Sequence, residues 1–391
     1  MAKIAEQKLE QAAQYLCEAG IDLWLIYASE GSDPSVSLLT GLKTVGKTFF
    51  LLTKDGRKIA ICSQIDAMES EKSGLFDEVI KYTNNPAATL REQVDKIAPE
   101  KIALNYSESD SLCDGLTTGR FFYLKRALGA YADRFCSSED ILGKVRSHKT
   151  SEEVAAIRKA IEITQKIYSE VFAQLRPGLS EKQIGQMFVD GMSRYGVIAA
   201  ASKDMSMPLV MKERIAHRDP GDAVLQPGDF LIMDFGVDYM GYCSDIARTA
   251  YFLKPGETDA PEEFRRIFNA AHTAISKAFA MVKPGVKGYE VDHAARQYYL
   301  DNGLPEITHS VGHQIGRAEH DGGMMLAPQW KRYGTTPFGE ADVNMCFTLE
   351  PTILMPEGEY SVLCEEDIIV TETGAEFLSK RQDSLILVPC E

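Results

Sequence analysis

A chain of 391 residues is long for one domain and comfortable for two. Its 45% hydrophobic and 25% charged content are ordinary for a globular protein, and a net charge of −15 argues against the basic patch that a nucleic-acid partner needs. No apolar run approaches the roughly 18 residues of a membrane helix; Met1 to Gly20 lacks the apolar centre of a signal peptide; and the eight cysteines are scattered without a CxxC pair, so reduced thiols in a cytoplasmic protein are expected.

Residues 1–145 alternate helix and strand patterns. Met1 to Gly20 reads as an amphipathic helix stopped by glycine, and Asp22 to Tyr27 as a buried strand. Thr48 to Thr53 and Lys58 to Ser63 flank Lys54-Asp55-Gly56-Arg57. Asp-Gly between apolar runs predicts a hairpin in which both central residues take positive φ. Val79 to Tyr82 and Lys101 to Asn105 add strands, with helical stretches between, which predicts an α/β domain with a mixed sheet. Gly41 and Gly46 flank a polar loop that reads as a turn, and neither a nucleophile motif nor a phosphate loop occurs in this half.

The pattern changes near Leu142-Gly143-Lys144, and residues 146–391 read as a second domain. Thr150 and Glu153 form a capping-box signature, followed by Val154, Ile157, Ile161, Tyr168, Val171 and Leu175 at helical spacing. Pro177-Gly178 is expected to end that helix, and Ser180 to cap the next one toward Gly196. Val171 to Gly178 then resembles Ala278 to Gly285, and Gly196 matches Gly303 at the same offset. We read this as an internal duplication, each half being helices followed by antiparallel strands. Asp234 and Asp245 belong to the strands of the first half, Glu350 and Glu365 to those of the second, so a pseudo-twofold would bring both pairs to one site.

The chemistry follows from charge. Pro227-Gly228-Asp229 turns the chain into the strand Asp229 to Phe235, and Gly241-Tyr242 brings it back, so Asp234 and Asp245 fall on neighbouring strands with one facing direction. A lone carboxylate in Phe230-Leu231-Ile232-Met233-Asp234 is costly to bury, and paired carboxylates repel. Four carboxylates balance two divalent cations, and His313 in Ser310-Val311-Gly312-His313 adds a neutral nitrogen. Such a donor set suits Mn, Co, Zn or Fe without choosing among them. A dinuclear metallohydrolase is the expectation.

At this point the motifs resemble a known family. Asp234-Phe235-Gly236, Gly241 to Thr249, Gly312-His313 with His320 seven residues on, Thr348-Leu349-Glu350-Pro351, and Glu365 six residues before Thr371 are similar to the methionine aminopeptidase, prolidase and creatinase (pita-bread) family, nearest the Xaa-Pro dipeptidase and aminopeptidase P branch. The resemblance implies an α/β (α+β) chain: a creatinase-like mixed-sheet domain, then a duplicated pita-bread domain with an antiparallel sheet flanked by helices. It also implies two divalent metal ions, short peptide substrates and a homodimer. Asp234 would chelate one ion, Asp245 and Glu365 would bridge both, and His313 and Glu350 would bind the other. Glu350 would accept the proton of the attacking water, while His217 and His320 would hold substrate. Glu365 is preferred over Glu366. Ala247, Gln314, Thr352 and Leu363 depart from the family's pattern, the last replacing an arginine. Arg214, Arg317 and Arg332 are unranked candidates for a substrate carboxylate. A hydrolase or lyase on a small non-peptide molecule, and a non-catalytic binding protein, are the alternatives.

Overall fold

The computed structural model of the protein describes residues 2–201, 207–212, 218–356 and 358–390. Two compact units divide the chain, Met1–Arg146 and Ser147–Glu391. The first runs α1 (Ala2–Ala19), β1 (Leu23–Ala28), α2 (Pro34–Thr40), β2 (Thr48–Thr53), β3 (Lys58–Cys62), α3 (Gln64–Ser73), β4 (Glu78–Lys81), α4 (Pro86–Ile97), β5 (Ile102–Leu104), α5 (Thr118–Leu128), β6 (Phe135–Ser137) and α6 (Glu139–Ser147). Its sheet has the order β4-β3-β2-β1-β5-β6. The β1–β2 and β2–β3 pairs are antiparallel and the rest parallel, which makes the sheet mixed.

Both faces of this sheet are covered, and for that reason β1, β5 and the inner stretches Phe49–Leu52 and Ile59–Cys62 are apolar at successive positions rather than alternating. Leu23, Leu25, Phe49 and Ile59 pack on one side with Val94 of α4 and Leu124 of α5. Trp24, Ile26, Phe50 and Ala60 pack on the other with Leu16 of α1 and Leu142 of α6. Each buried Leu, Ile, Val or Phe among them contributes about 1.5–3 kcal/mol. A buried polar chain crosses it: Trp24 Nε1 donates to Asn105 Oδ1 at 2.6 Å, and Asn105 Nδ2 donates to Asp33 Oδ2 at 2.8 Å.

The β2–β3 hairpin forms where Asp55-Gly56 predicts it, but with a different turn. Among the described residues, Asp55 is not one of those with positive φ, whereas Gly56 is, at 85°. The Gly56 N–H donates to Thr53 O at 2.9 Å, and Thr53 N–H to Arg57 O at 3.0 Å. One left-handed glycine after a tight turn closes the hairpin, as longer loops commonly do.

The second unit comprises α7 (Ser151–Phe172), α8 (Glu181–Tyr195), β7 (Ile198–Ala199), β8 (Leu209–Lys212), β9 (Phe230–Phe235), β10 (Val237–Tyr239), β11 (Tyr242–Cys243), β12 (Ile246–Phe252), α9 (Glu262–Met281), α10 (Gly288–Asp301), β13 (Cys346–Leu349), β14 (Glu366–Val370), β15 (Ala375–Phe377) and β16 (Ile386–Val388). The capping box of α7 is formed: Glu153 N–H donates to Thr150 Oγ1 at 3.3 Å, and Thr150 N–H to Glu153 Oε2 at 2.7 Å. The helix stops at Phe172 rather than running to Pro177. Pro177 has no N–H to give the Ala173 carbonyl and its ring would clash with it, so the chain leaves the helix at Ala173 and tightens, Gln174 N–H donating to Val171 O at 2.9 Å and Leu175 N–H to Phe172 O at 3.3 Å.

The internal repeat extends to backbone geometry. Gly178 and Gly285 take φ of 92° and 83°, and each donates its N–H to a distant carbonyl, Leu225 O and Ala341 O, both at 2.8 Å. Two residues later, Ser180 bridges Val224 and Lys287 bridges Glu340. Gly196 and Gly303 close the paired helical segments at φ of 64° and 67°. Strands pack in the orders β16-β12-β9-β8 and β13-β14-β15, with β16 parallel to β12 and the other neighbours in these two sheets antiparallel. Helices α9 and α10 bury Phe264, Phe268, Ile275 and Tyr299 against Phe230, Tyr251, Phe347 and Ile368. Among the described residues no helix is long and apolar enough to cross a membrane.

Two glycines test this reading with opposite signs. Gly56→Ala places a Cβ at φ 85° and lowers stability by about 1–2 kcal/mol. Gly143→Ala, inside α6 with no atom within 4 Å of the added carbon, raises it by about 0.5–1 kcal/mol. Urea unfolding midpoints of the two variants check both values.

Candidate metal centre and active site

The site begins where β9 and β12 meet. Asp234 lies opposite Ala247 in their antiparallel register. Asp245 precedes Ala247 by two residues, so it faces the same side as Asp234, one diagonal step away. Between the strands the chain doubles back past Gly236. A Cβ there would lie 1.8 Å from Ser244 O, so only glycine permits the crossing. The Tyr168 hydroxyl of α7 sits between Met233 O at 3.0 Å and Ile246 O at 2.6 Å, each next to one of the two aspartates. The Asp245 N–H donates to Asp367 Oδ2 at 3.1 Å.

The second half repeats the arrangement. A Cβ on Gly312 would lie 2.0 Å from Thr348 O. That close approach pairs residues 311–314 with β13: Thr348 N–H donates to His313 O at 2.9 Å, and Glu350 N–H to Val311 O at 2.8 Å. His313 and Glu350 thus stand side by side. Glu365, immediately before β14, donates its N–H to Ala247 O at 3.2 Å, while Arg248 Nη1 holds the Glu365 carbonyl at 2.8 Å. Glu366 points elsewhere: its carboxylate receives Arg248 Nη2 at 3.1 Å, Ser379 Oγ at 2.5 Å and the Gln382 N–H at 2.9 Å.

Asp234, Asp245, His313, Glu350 and Glu365 line one cavity of about 450 Å³. His313 Nε2 lies 3.6 Å from Asp245 Oδ2 and 3.4 Å from Glu350 Oε1. One ligand atom from each of Asp245, His313 and Glu365 falls within 4.8 Å of the others. His320 is exposed on the cavity wall, its ring centroid 4.2 Å from that of His313. His217 and Arg214 lie outside the described residues. Arg317 stacks on Tyr242 and Arg332 on Trp330, and neither lines the cavity.

Sequence reasoning left two titratable lining residues unassigned, Glu319 and His309. Glu319 carried a signal, standing directly before His320 in a segment already singled out. The four departures also find places. Ala247 is buried opposite Asp234. Gln314 Nε2 donates to Met324 O at 3.3 Å. Thr352 lines the cavity and donates to Glu350 O at 3.1 Å, and Leu363 lines it as well.

Protonation exposes what this assembly costs. Burial first, then neighbouring carboxylates, pushes Asp245 and Glu365 well above the usual carboxylate range. Burial and the charge of Asp234 push Glu350 and Glu319 each up to about 8. Burial and then His320 lower His313 to about 3, which keeps its imidazole neutral. The carboxylates cannot all be ionised together without compensating positive charge, and a neutral imidazole is the form that ligates metal. The donor set therefore fits divalent cations, which would reverse the order of preference and hold these oxygens ionised.

Comparison with known proteins agrees with this geometry. Residues 155–372 match metallopeptidase family M24. An uncharacterized peptidase of Staphylococcus aureus (strain bovine RF122 / ET3-1) is 27% identical over 335 residues, 84% of this chain and 86% of the relative. The solved structure of an Xaa-Pro dipeptidase from Bacillus anthracis superposes with a TM-score of 0.80 at 25% identity, covering 98% of this chain and 100% of that one. An X-Pro aminopeptidase from Thermotoga maritima MSB8 superposes with a TM-score of 0.76 at 25% identity, covering 97% and 99%.

In the metal-free protein Glu350 ionises near 8 when folded, against 4.5 ordinarily. Its contribution to stability is complete below about 4.5 and is lost as the pH rises through about 8. His313, lowered from 6.5 to about 3, contributes in the opposite sense: fully above 6.5, and progressively less below it. Between pH 6.5 and 8 the carboxylate contribution dominates, so the melting temperature of the chelated protein falls across that window. Saturating Mn²⁺ abolishes the fall, as a thermal-shift series at fixed ionic strength will register.

Proposed function

The chain belongs to metallopeptidase family M24, and from that premise we propose that it is a dinuclear-metal-dependent peptidase that removes the first residue of short peptides, those with proline in second place above all. One observation carries the proposal: both halves of the second unit deliver carboxylates, with His313, to a single cavity. Asp234, Asp245, His313, Glu350 and Glu365 would hold the ions. Two bound divalent ions supply an acidified water and polarisation of the scissile carbonyl.

The chain's own residues supply the rest. Glu350 accepts the proton that water loses as its oxygen attacks the carbonyl carbon. The same carboxyl then returns the proton to the leaving nitrogen as the C–N bond breaks. His320 donates an N–H to the carbonyl oxygen as that oxygen gains charge, a part the family resemblance also gives to His217. Pro208, Leu209, Leu354 and Leu363 form an apolar wall suited to a proline ring. That wall also favours one substrate length. Leu363 offers nothing to a carboxylate, so a peptide whose C-terminus lies beyond the cavity, a tripeptide or longer, is preferred over a dipeptide.

Metal analysis of the loaded protein should return two ions per chain. Asp245→Ala should lower kcat/KM on an Xaa-Pro tripeptide by more than about 100-fold and reduce the metal content, because loss of a ligand exceeds the cost of losing its supporting partner. Leu363→Arg should raise dipeptide turnover relative to tripeptide by about 10-fold, the order of one charge-assisted hydrogen bond. Full activity in Asp245→Ala, or in chelated protein, would refute the assignment.

A further inference from the structure

Helix α7 meets the strands of the site through buried polar contacts that the proposed chemistry does not use. The Tyr242 hydroxyl donates to Glu153 Oε1 at 3.0 Å, and Thr164 Oγ1 and Ser244 Oγ are hydrogen-bonded at 2.8 Å. The Tyr168 hydroxyl reaches Ile246 O at 2.6 Å and Met233 O at 3.0 Å. Glu153, Thr164, Tyr168, Tyr242 and Ser244 are all buried.

The contacts are periodic on both partners. Glu153, Thr164 and Tyr168 recur after about three turns and then about one turn of α7, so they share one face of the helix. The residues they meet alternate along the chain: Tyr242, Ser244 and Ile246. An extended chain turns successive side chains to opposite sides. A stretch that gives Tyr242 and Ser244 to the helix therefore turns Asp245 away from it, and Asp245 lines the cavity. A slip of one residue would carry that carboxylate to the helix side. Tyr168 adds a second tie. Asp234 and Ala247 lie opposite one another, and Met233 and Ile246 are the residues just before each. The single hydroxyl hydrogen of Tyr168 is shared between those two carbonyls, so one side chain joins both strands beside both aspartates.

We propose that Tyr168 is a positioning residue of the metal centre, its hydroxyl fixing the separation of Asp234 and Asp245 while Glu153 and Thr164 hold the register. The assignment rests on the metal-centre reading. Oxygens from two strands chelate well only while their spacing is held, and hydrogen bonds behind the ligands commonly change metal affinity by about 10–100-fold. Tyr168 itself touches neither ion nor substrate.

The test uses the full-length protein and Tyr168→Phe, which keeps the ring against Phe172, Phe188 and Phe235 and removes one oxygen. Thermal melting in chelator verifies folding. Titration with Mn²⁺ should give a dissociation constant about 10-fold higher in the variant, and low-temperature EPR of the fully loaded proteins should show altered coupling between the two manganese ions. A hydroxyl that only satisfied two buried carbonyls would lower the melting temperature and move neither readout. Gly56→Ala, destabilised in the other unit, is the control and should bind Mn²⁺ as the wild type does. Should Tyr168→Phe not fold, Thr164→Val probes the same seam, with an expected rise of about 3-fold, the order of one neutral hydrogen bond. Wild-type affinity and coupling in folded Tyr168→Phe, or wild-type affinity in Thr164→Val where that variant stands in, overturns the proposal. A wild type that binds no Mn²⁺ sinks the metal-centre reading and the proposal together, whereas equal binding by wild type and variant sinks the role of Tyr168 alone.

Discussion

Mutual repulsion among carboxylates gathered in one cavity, two of them buried and two half-buried, is the constraint around which the second unit is organised. Asp234, Asp245, Glu350 and Glu365 are brought into one cavity from both halves of the repeat, and nothing in ordinary folding energetics favours that gathering. The surrounding main chain prevents the strain from relaxing by movement. Asp367 holds the Asp245 amide, Arg248 holds the Glu365 carbonyl, and β13 holds His313 and Glu350 through paired backbone bonds. What remains is protonation or positive charge, and the elevated titration of Glu350 and Glu365 is the signature of that choice.

Much of this was legible in the amino-acid order because each feature had a local cause. The capping box at Thr150, the hairpin at Asp55-Gly56 and the twin glycines at 178 and 285 each follow from a short-range rule of backbone chemistry, and each element forms. The apolar run ending at Tyr27 likewise announced a buried strand, and Leu23 to Tyr27 are buried. Other features depend on long-range partners. The choice between Glu365 and Glu366 becomes visible in space because Arg248, Ser379 and Gln382 occupy the second carboxylate. Asp55 escaped the positive φ expected of it because the loop closes with Gly56 alone in that region. Glu319 was left without a role for a related reason: nearby Asp321 is tied to Lys149, 172 positions away, and that tie makes Glu319-His320-Asp321 part of a wall.

The departures from the family's pattern divide by what they touch. Gln314 is spent on a main-chain carbonyl and Ala247 is buried, so both belong to packing. Thr352 and Leu363 line the cavity and bear on what enters it. A change that faces the cavity alters selection, whereas one that faces the core alters only the platform.

The backbone frame around the donors has a further consequence. Because those hydrogen bonds are internal to the fold, the pocket is a stiff chelator rather than a pliant one. Stiff chelators discriminate by ionic radius and preferred coordination shape, and they resist the affinity ranking that flexible ligands obey. The occupant would then reflect which ion the frame tolerates as much as which is most abundant, and exposure to a tighter-binding but ill-shaped ion would yield an occupied yet inert protein.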